Sequence, residues 1–338
     1  MYNKNIALIG AGRAGMIHAR NFINKVPGLV LTAISDPSEE AAIKACNELG
    51  VAKCYQDYRQ VLDDDTISAV IIVSPTKFHC EIAVEAAKAG KHILCEKPMA
   101  INEDECRRMI NAAKENNVFL QIGFMRRFDS GFVAAKQALD DGVIGDVVLV
   151  KSLTRGPSTP KEWMYDISKS NGPLAEVNSH DIDTLHWFTG SEFEHIYAIA
   201  GNYRCPDAKE KYPDFYDNVI LSGLFKNGMQ GVIDGAQGVG YGYDARVEIL
   251  GSDGVIYIGN TNENGMTYAN RSGLKNRMFI KSWTGLFTQA YLAEDRAFAE
   301  SVLEGKPPLV TGEDGLNAVR VVNAGNQSIK EKRIVRLT

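Results

Sequence analysis

The sequence predicts an α/β protein in which a doubly wound parallel sheet is followed by an α+β domain with a large, mainly antiparallel open sheet. Three observations lead to this prediction. Short apolar strands alternate with helical segments as far as Gly123, a glycine-rich loop begins at Gly10 after the first strand, and strands follow one another without helices over 195–258. Because 338 residues exceed what one core usually supports, we expect two domains, 1–123 and 124–338, with the last helix able to pack back on the first.

In the first domain the apolar pattern predicts strands that alternate with helices. Strands are expected at 5–9, 29–35, 69–73, 92–95 and 118–123, and helices at 14–24, 38–49, 57–62, 81–89 and 102–116. The strand at 69–73 is apolar at every position, which is typical of a parallel strand buried on both faces. Ser38 and Gly50 provide a start and a stop for the second helix, and Asn102 with Glu105 resembles a capping box.

In the second domain the strands are no longer separated by helices. Strands are expected at 147–153, 195–201, 218–225, 229–237, 244–251 and 254–258, and helices at 132–142, 176–188, 288–303 and 314–332. The dipeptide Asn227-Gly228 between two of the strands is a strong hairpin signal. Successive strands joined in this way predict a mainly antiparallel sheet.

Composition excludes several classes of function. The chain is 45% hydrophobic and 23% charged with a net charge of −5, so a basic nucleic-acid-binding surface is not expected. The sequence has no apolar run of the roughly 18 residues that a membrane helix needs, and it begins without a signal peptide. Its six cysteines show no CxxC pairing. We therefore expect a cytoplasmic protein with reduced thiols and no membrane partner.

A glycine motif follows the first predicted strand and opens the first predicted helix. In Gly10-Ala11-Gly12-Arg13-Ala14-Gly15 the first glycine allows a tight turn, the second lets the backbone approach a pyrophosphate, and the third lets the helix pack on the strand. The helix N-terminus then faces the phosphates. We interpret this loop as a dinucleotide-binding site, for which the alternative is an ordinary glycine turn.

A carboxylate lies where this motif requires one. Asp36 ends the second predicted strand, 21 residues after Gly15, and a carboxylate about 20 residues on hydrogen-bonds the ribose 2′-hydroxyl of NAD. It would repel the 2′-phosphate of NADP, and the neighbours Pro37 and Ser38 supply no cation to bind that phosphate. We therefore predict NAD as the cofactor, with a helix-capping role of Asp36 as the alternative.

A further loop is expected at the same sheet edge. Ser74-Pro75-Thr76 follows the third buried strand and is a candidate for contacts with the ribose and nicotinamide of the cofactor, although a plain turn explains it equally well. His79 either supports this loop or forms the first turn of the next helix. We include all four residues among the cofactor-binding candidates.

Lys97 is the candidate proton-transfer group. It follows the predicted strand 92–95 between Glu96 and Pro98, and a cation at the carboxyl edge of a doubly wound sheet points into the crevice where such folds bind ligands. A lysine is a poor base at neutral pH unless burial and a nearby positive charge, such as that of an oxidised nicotinamide ring, lower its pKa. The alternative is a surface lysine. Glu96 joins the cofactor-binding candidates.

A second polar constellation covers 176–183, Glu-Val-Asn-Ser-His-Asp-Ile-Asp. Glu176 and His180 are four apart, so in one helix they would share a face, and the carboxylate could raise the basicity of the imidazole. The alternative is a capped amphipathic helix with a core histidine. Asp181 and Asp183 do not share a helix face, and there is no HExxH motif, so we predict no metal.

Taken together, these motifs resemble one family over nearly the whole chain. The family comprises glucose–fructose oxidoreductases, inositol dehydrogenases and rhizopine-catabolism oxidoreductases, and the resemblance is greatest to bacterial inositol 2-dehydrogenases. The segments that carry it are 10–15, 96–98, 121–129, 180–183 and 314–318. It implies a Rossmann domain, an α+β domain whose open sheet mediates oligomers, here a homotetramer, and oxidation of a ring secondary alcohol to a ketone.

The resemblance also implies roles for individual residues. Lys97 takes part in proton transfer, and His180 matches the family's histidine. Four residues before it, Glu176 stands where inositol dehydrogenases typically have Asp, which alters the hydrogen-bond geometry. Residues expected to bind substrate hydroxyls, together with Lys97 and His180, are Arg127, Asn178 and Tyr243.

Three hypotheses follow from the sequence. The first is an NAD-dependent dehydrogenase of a cyclic polyol of the inositol type. The second, motivated by Glu176, is oxidation at a ring carbon of a pyranose sugar or glycoside. The third is an NAD-binding regulator without catalysis, which would not need Lys97 and His180 intact.

Overall fold

The computed structural model describes residues 3–260, 268–269, 275–276 and 280–337. The chain forms two compact units. The first unit comprises 1–128 together with 289–319, and the second unit comprises 129–288 together with 320–338. Residues of the last two helices thus belong to the first unit. The division into domains 1–123 and 124–338 stays a prediction.

The first unit contains a six-stranded, all-parallel sheet with the strand order β3-β2-β1-β4-β5-β6. Its strands are β1 Lys4–Ile9, β2 Leu29–Ser35, β3 Lys53–Tyr55, β4 Ile67–Ile72, β5 His92–Glu96 and β6 Leu120–Gly123. This order is that of a doubly wound dinucleotide-binding sheet, which confirms the predicted fold class. Strand β3 was not predicted, because its three half-buried residues form no apolar run.

Helices follow the strands of the first unit, and two of their predicted caps are present. The helices are α1 Arg13–Asn24, α2 Glu39–Leu49, α3 Arg59–Leu62, α4 His79–Lys88 and α5 Glu103–Glu115. Ser38 Oγ accepts a hydrogen bond from Ala41 N, and Gly50 ends α2 with φ +68°. Asn102 Oδ1 caps α5, but the return bond of the predicted capping box runs from Ile101 N to the Glu105 carboxylate.

The core of the first unit lies between its sheet and its helices. Ile6, Leu8, Ile71 and Leu94 of the central strands are completely buried, and Phe298 joins the same cluster from a later helix. Burying a side chain of this size stabilises the fold by about 1.5–3 kcal/mol. The strands that lead into the glycine loop and into Lys97 therefore form a well-packed platform.

The second unit contains a seven-stranded sheet in the order β12-β11-β7-β10-β9-β8-β15. Its strands are β7 Val147–Gly156, β8 Phe193–Gly201, β9 Asn218–Phe225, β10 Gln230–Gln237, β11 Asp244–Gly251, β12 Val255–Ile258 and β15 Val335–Arg336, and a separate pair is formed by β13 Tyr268–Ala269 and β14 Lys275–Asn276. The neighbours pair antiparallel except β7 and β10, which confirms the mainly antiparallel prediction. The hairpin at Asn227-Gly228 is present, with Gly228 at φ +86°.

The two faces of this sheet differ. Val150, Ser152 and Thr154 of β7 are buried on the inner face, where helix packing covers the sheet. The helices from Ser130 onward are α6 Ser130–Asp140, α7 Glu162–Tyr165, α8 Ile167–Ser170, α9 Gly172–Glu176, α10 Ser179–Thr189, α11 Trp283–Leu286, α12 Thr288–Glu304 and α13 Gly312–Glu331. None of the helices in the described ranges has the length and apolar character needed to cross a bilayer.

The predicted helix over 176–188 is wrong in one respect, because it is not continuous: Glu176 is the last residue of α9, α10 begins at Ser179, and Val177 and Asn178 lie between them. Asn178 N donates to Pro173 O, five residues back, which breaks the α-helical pattern, and Asn178 O then accepts the first bond of α10. Glu176 and His180 therefore do not share a face of one helix.

Candidate functional site

Each glycine of the motif has its own structural reason. Gly10 has φ +104°, and a Cβ there would lie 2.6 Å from Val73 O. A Cβ on Gly15 would lie 2.0 Å from Gly10 O, so only glycine lets α1 pack this close to β1. At Gly12, which caps α1, a Cβ would meet no described protein atom within 4 Å. The space beside Gly12 is open, and the bare N-terminus of a 12-residue helix favours an anion there, so the loop fits a dinucleotide pyrophosphate.

Asp36 is bound to this loop. Ala11 N donates to Asp36 Oδ2 at 2.8 Å, and Ser38 N donates to Oδ1 at 2.9 Å. Asp36 is half-buried, and its main-chain N donates to Tyr55 O. Because Ser38 and not Asp36 caps α2, the capping alternative does not explain Asp36. The structure holds the carboxylate against the glycine loop, where a ribose 2′-hydroxyl would need it.

His79 connects two loops at the carboxyl edge of the sheet. Its Nε2 lies 2.8 Å from Ser74 O, and its Nδ1 lies 2.9 Å from Pro98 O. Burial lowers the pKa of His79. His79 is both the first residue of α4 and a support of the loop, so the two sequence interpretations are compatible. Thr76 is buried and Pro75 is exposed, while Ser74 Oγ is a buried oxygen with no hydrogen-bond partner in the part of the chain that is described.

Lys97 leaves the sheet directly after β5. Its side chain is half-buried, its peptide bond to Pro98 is cis, and its main-chain N donates to Glu96 Oε2 at 3.0 Å. Glu96 itself is only 5% exposed, and its Oε1 lies 3.2 Å from His18 Nε2. The Glu96 carboxylate is therefore engaged inside the first unit, and its assignment to the cofactor stays a prediction.

A buried polar cluster behind Glu96 was missed by the sequence analysis. His18 Nδ1 lies 2.6 Å from Asp295 Oδ1, and Asn21 Nδ2 donates to Asp295 Oδ2 at 2.8 Å. The available signal was that His18 and Asn21 are polar residues three apart, on the side of α1 that carries Gly15. Ligand atoms of His18, Glu96 and Glu294 lie close enough to hold a metal ion, but both ring nitrogens of His18 already face carboxylates. That no metal is bound stays a prediction.

The second unit presents Asn178 and His180 at the start of α10. His180 is 5% exposed and Asn178 is completely buried. Asn178 Nδ2 donates to Asp181 Oδ2 at 2.8 Å, and the other oxygen of Asp181 accepts bonds at 2.5 and 2.9 Å from two hydroxyls of β7, those of Ser152 and Thr154. Asp181 thus anchors the start of α10 to the sheet. Sequence reasoning had considered Asp181 only as a metal ligand.

The Asn178 side chain lies against the backbone of β10. Its Oδ1 is a buried oxygen without a hydrogen-bond partner among the described residues. A Cβ on Gly235 would lie 2.1 Å from that oxygen, so β10 needs glycine at this point. The site therefore holds a rigidly placed amide with an unused acceptor, which is suited to a substrate hydroxyl.

The two remaining candidates for substrate binding, Arg127 and Tyr243, are buried. Arg127 is 6% exposed, and its Nη2 donates to Asp314 Oδ1 at 2.7 Å within the first unit. Tyr243 is 8% exposed in the second unit, and its ring stands edge-on to Phe287. The structure thus assigns Arg127 an internal ion pair, and hydroxyl binding by Arg127 or Tyr243 stays a prediction.

The first unit brings the cofactor candidates together at one sheet edge. The glycine loop contacts Asp36, Gly10 approaches the end of β4 at Val73, and His79 ties Ser74 to the Lys97–Pro98 segment. Glu176, Asn178 and His180 lie together in the second unit, around the break between α9 and α10.

Comparison with known proteins agrees with both architectures. Residues 4–124 match the model of the oxidoreductase family with an NAD-binding Rossmann fold, and residues 136–337 match that of the same family's C-terminal alpha/beta domain. The chain is 35% identical to myo-inositol 2-dehydrogenase of Thermotoga maritima over 332 residues, 98% of each protein. It is 34% identical to scyllo-inositol 2-dehydrogenase (NAD(+)) of Bacillus subtilis over 98% of this chain and 95% of that protein.

A solved structure gives the same result. The scyllo-inositol dehydrogenase of Lactobacillus casei with bound NAD(H) and scyllo-inositol superposes with a TM-score of 0.90 at 28% identity, over 99% of either chain. With both family models matched and the relatives aligned almost end to end, this chain belongs to the oxidoreductase family that joins an NAD-binding Rossmann fold to a C-terminal alpha/beta domain.

Proposed function

We propose that this protein is an NAD-dependent dehydrogenase that oxidises a ring secondary alcohol of a cyclic polyol of the inositol type to a ketone. One observation carries the proposal: the glycine loop with Asp36 and the Lys97 segment lie at the same edge of the first sheet. Glu96 fixes Lys97 there directly, and His79 fixes it through Pro98. Relatives at 34 and 35% identity that are named as inositol 2-dehydrogenases support the substrate class.

The cofactor is held by the glycine loop and by Asp36. Gly10, Gly12 and Gly15 shape the loop, with Arg13 and Ala14 at the first turn of α1, so that main-chain N–H groups face the pyrophosphate. Asp36 binds the ribose hydroxyls and disfavours a 2′-phosphate through like charge. Ser74, Pro75 and Thr76 border the nicotinamide end. When bound there, NAD⁺ would supply the acceptor for the hydride of the carbinol carbon.

Lys97 and His180 are the proposed proton-transfer groups. As the C–H electron pair leaves with the hydride, the hydroxyl oxygen forms the carbonyl bond and releases its proton to the protein. The neutral amine of Lys97 receives that proton, and His180 assists as a second acceptor. Glu176, at the end of α9, sets the basicity of His180 across the break between the helices.

Three side chains are proposed to bind the hydroxyls of the substrate. Asn178 offers its buried amide oxygen, and we assign Arg127 and Tyr243 to the same function. A pyranose ring carbon is the second candidate for oxidation, because Glu176 reaches further than the shorter Asp of inositol dehydrogenases and lies outside α10.

Assembly as a homotetramer is the finer part of the proposal. The outer face of the second sheet exposes large apolar side chains on several neighbouring strands, among them Tyr197, Ile199, Ile220, Leu250 and Tyr257. An apolar surface of this kind supports self-association.

All six cysteines, each within the described residues, are free thiols, which agrees with a reducing compartment such as the cytoplasm.

The test is a substrate screen in which formation of the reduced cofactor is followed by absorbance. Inositols, pyranose sugars and glucosides are each supplied with NAD⁺ or NADP⁺. We expect turnover on an inositol with NAD⁺, whereas faster turnover on a glucoside selects the second candidate. Absence of turnover on every substrate, together with tight binding of a partner protein, would establish a regulator without catalysis.

A further inference from the structure

A continuous line of buried polar groups runs from α12 through α1 to Lys97. Asp295 on α12 faces His18 Nδ1 at 2.6 Å, His18 Nε2 faces Glu96 Oε1 at 3.2 Å, and Glu96 Oε2 accepts a bond at 3.0 Å from the main-chain N of Lys97. The side chains of His18 and Asp295 are completely buried, and that of Glu96 is nearly so. Buried charged groups of this kind are costly unless they are paired.

The surroundings of His18 favour the imidazolium form. Two carboxylates face its two ring nitrogens, and only the protonated ring can donate to both. Burial by itself would lower the pKa of His18, but Asp295 and Glu96 outweigh it and raise the pKa well above its usual value. The other groups near the ring are Glu294, whose carboxylate lies in the same cluster, and Tyr291, whose ring stands edge-on at 5.3 Å.

Glu96 is fixed by its surroundings as well as by His18. A Cβ on Gly123 of the neighbouring strand would lie 3.1 Å from Glu96 Oε2, so the carboxylate packs directly on the backbone of β6. From this position it accepts the N–H of the peptide that carries the chain out of β5 into Lys97. Removing the charge of His18 leaves a buried carboxylate without its cation, which must then take up a proton or move.

We propose that His18 is a positioning residue for catalysis, which as an imidazolium between Asp295 and Glu96 holds the Glu96 carboxylate on the main-chain N–H of Lys97. It thereby fixes the point from which the Lys97 side chain leaves the sheet. This inference rests on the proposed proton transfer by Lys97. The cluster then serves the geometry of Lys97 and not a metal, since the nitrogens of His18 are already occupied.

The experiment compares four variants of the full-length protein: His18→Gln, Lys97→Ala, the double variant, and Phe22→Leu. Phe22 lies one turn further along α1 in the apolar core and outside the cluster, so its variant reports loss of packing alone. We expect His18→Gln to lower kcat about 100-fold, the effect of misplacing a catalytic group by about 1 Å, while the Kd for NAD⁺ changes less than about threefold. We also expect the pH profile of kcat to shift.

The double variant separates positioning from a general structural effect. If His18 acts through Lys97, adding His18→Gln to Lys97→Ala does not lower the residual rate further, because the two residues work as a unit. Should His18→Gln fail to fold, Asp295→Asn, which keeps the size of the side chain, is measured in the same way and is expected to lower kcat and shift its pH profile.

Two failures are distinguishable. If Lys97→Ala retains near wild-type turnover, the proposed proton transfer by Lys97 is wrong whatever His18 does. If Lys97→Ala abolishes turnover, two results overturn the positioning role of His18. In the first, His18→Gln, or Asp295→Asn in its place, behaves like Phe22→Leu at matched stability. In the second, the substitution lowers the residual rate of Lys97→Ala further by its full effect on the wild-type rate.

Discussion

Replacing Gly235 with alanine tests the proposed role of the Asn178 amide. Gly235 lies on the inner face of β10, where the new Cβ would be 2.1 Å from Asn178 Oδ1 and 2.6 Å from its Cγ and Nδ2. An ordinary contact requires at least 3.4 Å, so the amide must retreat by more than an ångström. Asn178 directly precedes α10, and its Nδ2 donates to Asp181 Oδ2 at 2.8 Å, so this movement disturbs the start of the helix that carries His180.

The expected magnitudes follow from these contacts. Overpacking by one methyl group costs about 1–3 kcal/mol of folding stability, and loss of the hydrogen bond from Asn178 to the Asp181 carboxylate adds about 1.5–3 kcal/mol. Misplacement of a substrate-positioning group by about 1 Å lowers turnover about 100-fold. We therefore expect Gly235→Ala to lose about 100-fold in kcat/KM while binding of NAD⁺, which the first unit provides, is unchanged.

Gly231→Ala is the matched control. Gly231 lies on the same strand and face, and a Cβ there would be 2.8 Å from Phe225 and 2.9 Å from Leu185, so this variant also overpacks the core. It does not touch Asn178, and we expect a comparable loss of stability with kcat/KM within about threefold of wild type. Both variants are assayed for NADH formation on the best polyol and for stability in urea. Equal kcat/KM for the two variants would refute the role given to Asn178.

Three further predictions concern the first unit. Asp36→Ser removes a carboxylate that accepts from Ala11 N, and steady-state kinetics should show KM for NAD⁺ rising about tenfold, a loss of about 1.4 kcal/mol, while use of NADP⁺ improves. Gly15→Ala places a Cβ 2.0 Å from Gly10 O, and calorimetry should detect no NAD⁺ binding to it. The pKa of His18 is higher in the folded than in the unfolded state, so its contribution to the free energy of unfolding is complete below about pH 6.5 and is lost as the pH rises through the folded pKa. Urea unfolding from about pH 6 to about pH 10 should therefore show a steeper fall of the free energy of unfolding in wild type than in His18→Gln.

Most of the parallel sheet could be predicted from the sequence because local signals suffice there. The apolar run in β4 is buried as expected, Ser38 and Gly50 bound α2, and the glycine loop opens α1. Each of these features depends on residues that are close together in the sequence, so periodicity and capping rules apply. These rules did not predict the short β3, because its residues are only half-buried.

Contacts between distant residues could not be predicted in this way. His18 and Asp295 are 277 positions apart, and the pair exists only because α12 packs in the core of the first unit. The start of α10 is likewise anchored from a distance, because the hydroxyls of Ser152 and Thr154 on β7 donate to Asp181, 29 and 27 positions further along the chain. A spacing of four residues predicts a shared helix face only where the helix is continuous, and here the chain leaves the helix at Val177 and Asn178.

Turnover of Lys97→Ala tests the central claim most directly. Its kcat on the best polyol and its Kd for NAD⁺ are measured beside those of wild type and of Lys88→Ala, which removes an exposed lysine at the end of α4. The proposed chemistry predicts that Lys97→Ala loses about 1,000-fold or more in kcat with its Kd for NAD⁺ within about threefold, while Lys88→Ala matches wild type. A kcat of Lys97→Ala within about tenfold of wild type would contradict proton transfer by Lys97.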